Sequence, residues 1–144
     1  MERTEVMRLF VDTSAWVALE DRDDSHHEEA TRFWGELRAG RTDFRQIFTS
    51  NYVLDEVMTL LGTRVSKQSC AEFWRKMQGT KLVRVLRVSE EIDAKASDIL
   101  VRGPEDMSFT DGTCLALMRE EAIDSCFTFD RHFADFGFTM VPAK

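Results

Sequence analysis

The sequence has few of the features that mark secreted, membrane or thiolate-metal proteins. Its three cysteines are odd in number and lack the paired spacing of a zinc site or a disulfide framework, so we expect buried thiols in a reducing compartment. No apolar run is long enough to span a bilayer, and the charged start around Glu2 and Arg3 matches no signal or transit peptide. These absences predict a cytoplasmic protein without a membrane partner.

Proline and glycine are also scarce, with 2 and 7 of 144 residues, and the sequence contains no repeat or low-complexity tract. The length is typical of one folded domain, which we expect to span residues 1–144. Glycine-rich phosphate loops are missing as well, since neither G-x-x-x-x-G-K-[ST] nor G-x-G-x-x-G occurs. Nucleotide-hydrolysing and dinucleotide-binding functions therefore have no support.

Charge is distributed unevenly along the chain. The net charge of −7 disfavours broad nonspecific binding to nucleic acid, yet residues 64–87 hold seven Lys or Arg against one Glu. The simpler interpretation of this basic segment is a solvated helix face and strand edge. The alternative is a strip that contacts nucleic-acid phosphates, with Arg75 and Lys76 as its candidate residues.

Apolar patterns alternate between strand-like and helix-like segments. Strand patterns fall at residues 7–11, 46–49, 82–88, 125–129 and 138–141. Helical spacing, bounded by capping residues, covers residues 14–20, 26–39, 50–62, 66–79, 89–103 and 110–118. Strands that alternate with helices predict an α/β domain with a mostly parallel central sheet.

Three aspartates are expected to meet at one edge of this sheet. Asp12 ends the first strand and Asp130 ends a later one. Asp111 lies in the first turn of a helix that we expect Thr110 to cap. Taken singly, each acid has a simpler explanation as a helix cap or a favourable first-turn charge. Taken together they lie where parallel sheets bind ligands, beyond the carboxyl ends of the strands.

Such a cluster of carboxylates predicts a divalent cation. The carboxylates repel one another and raise each other's pKa unless a cation is present. Oxygen ligands without a histidine or cysteine constellation suit Mg²⁺ or Mn²⁺, which serve phosphoryl transfer and phosphodiester hydrolysis. An aspartyl-phosphate phosphatase would carry an acid where Ser14 stands, and a phospho-receiver domain would carry paired acids in place of the single Asp12.

Four stretches carry a resemblance to a known family. They are LFVDTSAW at 9–16, TSNYVLDEVMTLL at 49–61, SFTDGTCLALM at 108–118 and FTFDRHFADFGF at 127–138. In this order they resemble the motifs of PIN-domain ribonucleases, and more narrowly those of the VapC toxins of bacterial toxin–antitoxin pairs. The resemblance implies a PIN-like three-layer α/β/α domain that acts as a metal-dependent endoribonuclease.

By the same resemblance, an acidic quartet forms the metal and catalytic site: Asp12, Glu56, Asp111 and Asp130. The three aspartates would hold Mg²⁺ or Mn²⁺, while Glu56 would orient or deprotonate the attacking water, leaving a 5′-phosphate and a 3′-hydroxyl. Ser14 and Thr110 are nearby hydroxyl positions that would support metal-bound water or phosphate. A further acid near the third motif is variable in this family, and residues 112–114 carry none, so the number of metal ions stays open.

The resemblance also implies partners, namely an RNA substrate, a cognate antitoxin that covers the cleft, and a second copy of the chain in a homodimer. Arg131 is a candidate RNA contact beside the fourth acid. His132 is a second candidate there, although a plain surface position is the simpler interpretation, and His26 and His27 are expected at the surface. Two alternatives remain open. One is a PIN-fold RNA- or protein-binding module without turnover, and the other is a flap-type DNA nuclease.

Overall fold

Five parallel strands and the helices around them form the part of the chain that the computed structural model describes, residues 6–143. In chain order the elements are β1 (Met7–Val11), α1 (Thr13–Glu20), α2 (His27–Arg38), β2 (Phe44–Ser50), α3 (Asn51–Arg64), α4 (Lys67–Gly79), β3 (Val83–Leu86), α5 (Glu90–Arg102), α6 (Phe109–Glu120), β4 (Ser125–Phe127), α7 (His132–Asp135) and β5 (Thr139–Val141). Every strand pair is parallel, so the predicted α/β class is confirmed, with the three-layer α/β/α arrangement.

The central strand β1 leads directly to the first acid. Leu9, Phe10 and Val11 are fully buried, and β1 pairs with β2 on one side and with β4 on the other. The strand order is β3-β2-β1-β4-β5, so the chain first builds the sheet outward from β1 and later resumes on the opposite side of β1. The space beyond the carboxyl ends of β1 and β4 is therefore a topological switch point, where such sheets bind ligands.

The side chains of Ser50, Ser66 and Ser89 cap helices α3, α4 and α5. The predicted cap at Thr110 is wrong, because α6 begins at Phe109 and Ser108 caps it. The Ser108 hydroxyl accepts the Asp111 N–H, and the Asp111 carboxylate accepts the Ser108 N–H. This reciprocal pair satisfies two backbone donors at once, which a cap at Thr110 would not do. Asp111 still lies in the first turn, as predicted.

Strand β4 is two residues shorter than predicted and ends at Phe127. The Thr128 N–H still donates to the Val141 carbonyl at 3.1 Å, but the Phe129 N–H donates to the Ser14 hydroxyl at 2.9 Å. The chain therefore leaves the sheet after Thr128, where the Ser14 hydroxyl at the start of α1 accepts the next N–H.

Aromatic rings fill the layer formed by α1, α2 and α4. The Trp16 ring lies 5.4 Å from that of Trp34 and 5.7 Å from that of Phe73, both in edge-on geometry. The expected burial of the thiols holds for Cys114 and Cys126, whereas Cys70 is half-buried. Among the helices of residues 6–143, none is both long and apolar enough to cross a membrane.

Candidate active site

Asp12 follows β1 directly and caps α1, and only 3% of its surface is exposed. Its carboxylate accepts hydrogen bonds from the Ser14 and Thr128 hydroxyls, each at 2.8 Å, and from the Ala15 N–H at 3.3 Å. Burial raises the pKa of Asp12 from its ordinary 3.8 to about 7, although the Thr128 and Ser14 hydrogen bonds act to lower it. The site thus holds a carboxylate in place with neutral donors alone.

Asp111 reaches the same region from the first turn of α6, where the reciprocal pair with Ser108 fixes its position. Its burial is the main cause of a raised pKa, and the nearby negative charges of Asp130 and Glu56 raise it further. Asp111 and Asp130 therefore repel each other in the absence of a cation.

Asp130 lies just beyond β4, at the end of the short segment that leaves the sheet. Its N–H donates to the Thr128 hydroxyl at 2.9 Å, and that hydroxyl in turn donates to Asp12. A single threonine thus links the acids that follow β1 and β4. This contact follows from the parallel register, in which Val11 is opposite Phe127.

Glu56 projects from α3 into the same cleft, which has a volume of about 310 Å³. All four predicted acids line this cleft, and each is supplied by a different part of the fold. Ser14 also lines it, but Thr110 is not among the lining residues. The Thr110 carbonyl accepts a hydrogen bond from the Thr113 hydroxyl at 2.6 Å, so this contact ties Thr110 to its own helix.

His132 was expected at the surface, and that prediction is wrong. Its side chain is only 13% exposed and lies among carboxylates: Nε2 is 3.1 Å from Asp106, and Nδ1 is 3.1 Å from Asp130 and 3.7 Å from Asp111. Burial lowers the pKa of His132, but Asp130, Asp106 and Asp111 outweigh that effect and raise it. The sequence placed His132 beside the fourth acid but not its contacts with Asp106 and Asp111, because Asp106 comes from a loop before α6.

Arg64 and His26 also line the cleft, although His26 was expected at the surface and Arg64 was considered only as the start of the basic segment. Glu56, Leu60 and Arg64 follow one another at four-residue steps on α3, a spacing that could have placed Arg64 beside the acid. An Arg64 nitrogen lies 4.0 Å from an oxygen of the half-buried Asp24, a loose pair that leaves the exposed guanidinium available to an anion.

The other predicted RNA contacts lie elsewhere. Arg75 and Lys76 are on α4 and do not line the acid cleft, and Lys76 pairs with Glu20 at 3.0 Å. Arg131 lines a neighbouring cavity that borders the cleft. A phosphate contact by any of these residues stays a prediction.

The chemistry of the donor set fits a hard divalent cation. The quartet offers carboxylate oxygens, and no Lys or Arg in residues 6–143 forms an ion pair with any of its members. Ligand oxygens of Asp111 and Asp130 and a ring nitrogen of His132 all lie within 4.8 Å of one another, close enough to share one ion. Mg²⁺ and Mn²⁺ are bound through such carboxylates together with water.

Residues 9–139 match the model of the PIN domain family. The chain belongs to the PIN-domain family. A relative, the 23S rRNA-specific endonuclease VapC20 of Mycobacterium tuberculosis, is 34% identical over 134 residues, which is 92% of this chain and 97% of that protein. The resemblance to VapC toxins read from the four motifs is therefore confirmed.

Solved structures agree with this PIN-domain assignment. The crystal structure of Mycobacterium tuberculosis VapC20, described as a sarcin-ricin loop cleaving toxin, matches with a TM-score of 0.80, at 34% identity, over 91% of this chain and 96% of that one. The DNA-bound VapBC structure from Salmonella typhimurium matches with a TM-score of 0.63 over 94% and 97% of the two chains. At 12% identity, the second likeness shows the fold alone.

Proposed function

We propose that this PIN-domain protein is a Mg²⁺- or Mn²⁺-dependent endoribonuclease and the toxin of a toxin–antitoxin pair. The observation that carries the proposal is the convergence of Asp12, Glu56, Asp111 and Asp130 on one cleft at the switch point of the sheet. The relative VapC20, which shares this fold over nearly its whole length, is an RNA endonuclease by name. RNA is accordingly the proposed substrate.

The proposed mechanism assigns a task to each acid. Asp12, Asp111 and Asp130 would hold the cation, which would supply activation of water and neutralisation of charge on the leaving oxygen. Glu56 orients the attacking water and accepts its proton, and the products are a 5′-phosphate and a 3′-hydroxyl.

Neutral hydroxyls keep these carboxylates in place. Ser14 and Thr128 hold both oxygens of Asp12, and Ser108 holds Asp111 at the start of α6. Because these donors carry no charge, they orient the carboxylates without cancelling the negative potential that attracts a cation.

We propose an antitoxin and a second copy of the chain as the protein partners. Structures named as VapBC from Salmonella typhimurium and as VapBC2 from Rickettsia felis share the fold, and the resemblance to VapC toxins of toxin–antitoxin pairs supports an antitoxin. Co-purification with the product of a neighbouring gene, followed by mass measurement of the complex and of the free chain, tests both partners.

The activity is tested by incubating antitoxin-free protein with a pool of 23S rRNA and tRNA in Mg²⁺, Mn²⁺ or EDTA. We expect metal-dependent cutting that Asp12→Asn abolishes. Asp55→Asn is the matched control, since Asp55 is exposed, lies beside Glu56 in the chain and does not line the cleft. Cutting that persists in EDTA or in the Asp12→Asn protein would overturn the proposed site. Flap DNA, run in parallel, separates an RNA nuclease from a DNA nuclease.

A further inference from the structure

An aromatic wall stands beside the acid cleft and has no part in the mechanism above. The rings of His26 and Phe129 are stacked, with centroids 4.3 Å apart and planes inclined by 6°. Both residues line the acid cleft, and both also line a second cavity of about 390 Å³. The His26–Phe129 wall therefore lies between the acid cleft and this second cavity.

The wall is held in a fixed position relative to Asp12. The Phe129 N–H donates to the Ser14 hydroxyl, and the same hydroxyl donates to Asp12. The Phe129 ring also meets the fully buried Phe127 ring edge-on, with centroids 6.1 Å apart. A group stacked on the wall would consequently take a defined place relative to the carboxylate.

The second cavity suits a flat, neutral group better than a phosphate. Its lining is largely apolar, with Met140, Pro142 and Ala134 beside the wall. Glu29 and the exposed Arg131 also line it, so its two charged residues are of opposite sign and the lining carries no net charge. The volume lies near the lower end of the range for small-ligand sites, about 300–1,000 Å³, so it fits one base and not a duplex.

We propose that this second cavity is a nucleobase subsite, in which a base of the bound RNA, close to the cleaved phosphodiester, stacks against the His26–Phe129 wall. The inference rests on the proposed RNA-cleaving function and adds to it a determinant of substrate position. Stacking is favourable because every base has an aromatic face, and the side chain of His26 keeps 39% of its surface exposed for the contact. Arg131 would then contact the phosphate attached to that nucleotide.

The test measures binding separately from cleavage. Wild-type protein in Ca²⁺, with the RNA checked to remain intact, is titrated into short single-stranded RNAs that carry the fluorescent base 2-aminopurine at successive positions. A matched series carries an abasic site at the same positions. We expect fluorescence quenching at one position, and a loss of affinity of about 5- to 100-fold when that base is removed.

Variants of His26 and Phe129, with a control, test whether the quenching and the abasic-site penalty depend on the wall. His26→Leu should abolish both the quenching and the penalty for the abasic site, whereas His26→Phe should keep both because it retains a ring. Phe129→Leu provides a second route if His26→Leu does not fold. The control is His27→Leu, because the ring of His27 contacts the Ala18 carbonyl and lines neither cavity, so its binding should match the wild type.

The outcomes separate the subsite from the nuclease. The subsite would be overturned if folded His26→Leu protein quenched the fluorescence as strongly as the wild type and lost as much affinity for the abasic RNA. It would also be overturned if the affinity of the wild-type protein depended on no base. If the wild type cuts RNA in Mg²⁺ but shows no dependence on a base, only the subsite is overturned. Base-dependent binding through His26 without any cutting would support the subsite and overturn the nuclease.

Discussion

The acid cleft and the basic segment at residues 64–87 differ in how distance along the chain compares with distance in the fold. The four acids of the cleft are far apart in the chain, yet they line one site because parallel strands end at the same edge. The basic residues are close in the chain but disperse, since Arg64 lines the acid cleft while Lys76 pairs with Glu20 outside it. A run of like charge thus indicates a solvated surface more readily than a site, whereas separated acids at strand ends indicate a site.

The two regions also differ in how their charges affect the stability of the fold. Burial raises the pKa of Asp12 and of Asp111, so ionisation of these groups opposes folding unless a cation binds. Lys76 is exposed, and its pair with Glu20 changes stability little. Function in the cleft therefore depends on charges that are unfavourable for the metal-free fold.

The largest expected effect is on the cleavage rate, when one negative charge is removed from the cleft and, as the control, one from the basic segment. Glu56→Gln should lower the cleavage rate by about 10²–10⁴-fold, because the proposed base is lost while the shape of the side chain is kept. Glu72→Gln makes the same chemical change at the lone acid of the basic segment and should leave the rate within a few-fold of wild type. Single-turnover cleavage with saturating metal measures both. Equal rates for the two variants would contradict the assignment of the catalytic base to the acid cleft.

A second prediction concerns stability and pH in EDTA. The pKa of Asp12 is raised to about 7 in the folded protein, from an ordinary value of 3.8, so the folded state binds this proton more tightly than the unfolded state does. The protonated Asp12 therefore contributes fully to the free energy of unfolding below about pH 4. This contribution, up to about 4 kcal/mol, is lost as the pH rises to about 7. Asp12→Asn should remove this loss and be the more stable protein at pH 8.

Urea unfolding of both proteins between pH 4 and pH 8 checks this prediction through the difference in their free energies of unfolding. Since Asp111 titrates in both proteins, the difference reports on Asp12 together with its repulsion by Asp111. Excess Mg²⁺ should narrow the gap at pH 8, because the cation favours the ionised carboxylate. A gap that does not vary with pH would contradict the assigned cause.

Much of the cleft was predictable because it depends on topology. The order of strands and helices predicts the sheet, and the positions of Asp12, Asp111 and Asp130 at strand and helix ends predict that they meet. Glu56 was assigned from the resemblance, and the structure places it in the same cleft. The site roles of all four acids await the experiments above.

The surroundings of the acids were less predictable because they depend on contacts distant in the sequence. His26 stacks on Phe129, more than a hundred residues away, and no local pattern reports that contact. His132 is enclosed by Asp106 and Asp111, whose side chains are placed by a loop and a helix start. The misplaced cap at Thr110 was different, since the spacing of Ser108 and Asp111 already indicated a capping box.

The smallest expected effect distinguishes the basic residue in the cleft from those outside it. Arg64→Gln should weaken RNA binding several-fold and lower the slope of log affinity against log salt by about 0.7, the value for one phosphate contact on a single strand. Lys76→Gln should change the slope less, because Lys76 is already paired with Glu20, and Arg75→Gln should also change it less, because Arg75 lies outside the cleft. Titrations in Ca²⁺ at several salt concentrations measure the slopes. If the α4 variants lowered the slope and Arg64→Gln did not, the basic segment would be the phosphate-binding strip, and charge density along the chain would have indicated the substrate surface better than position in the fold.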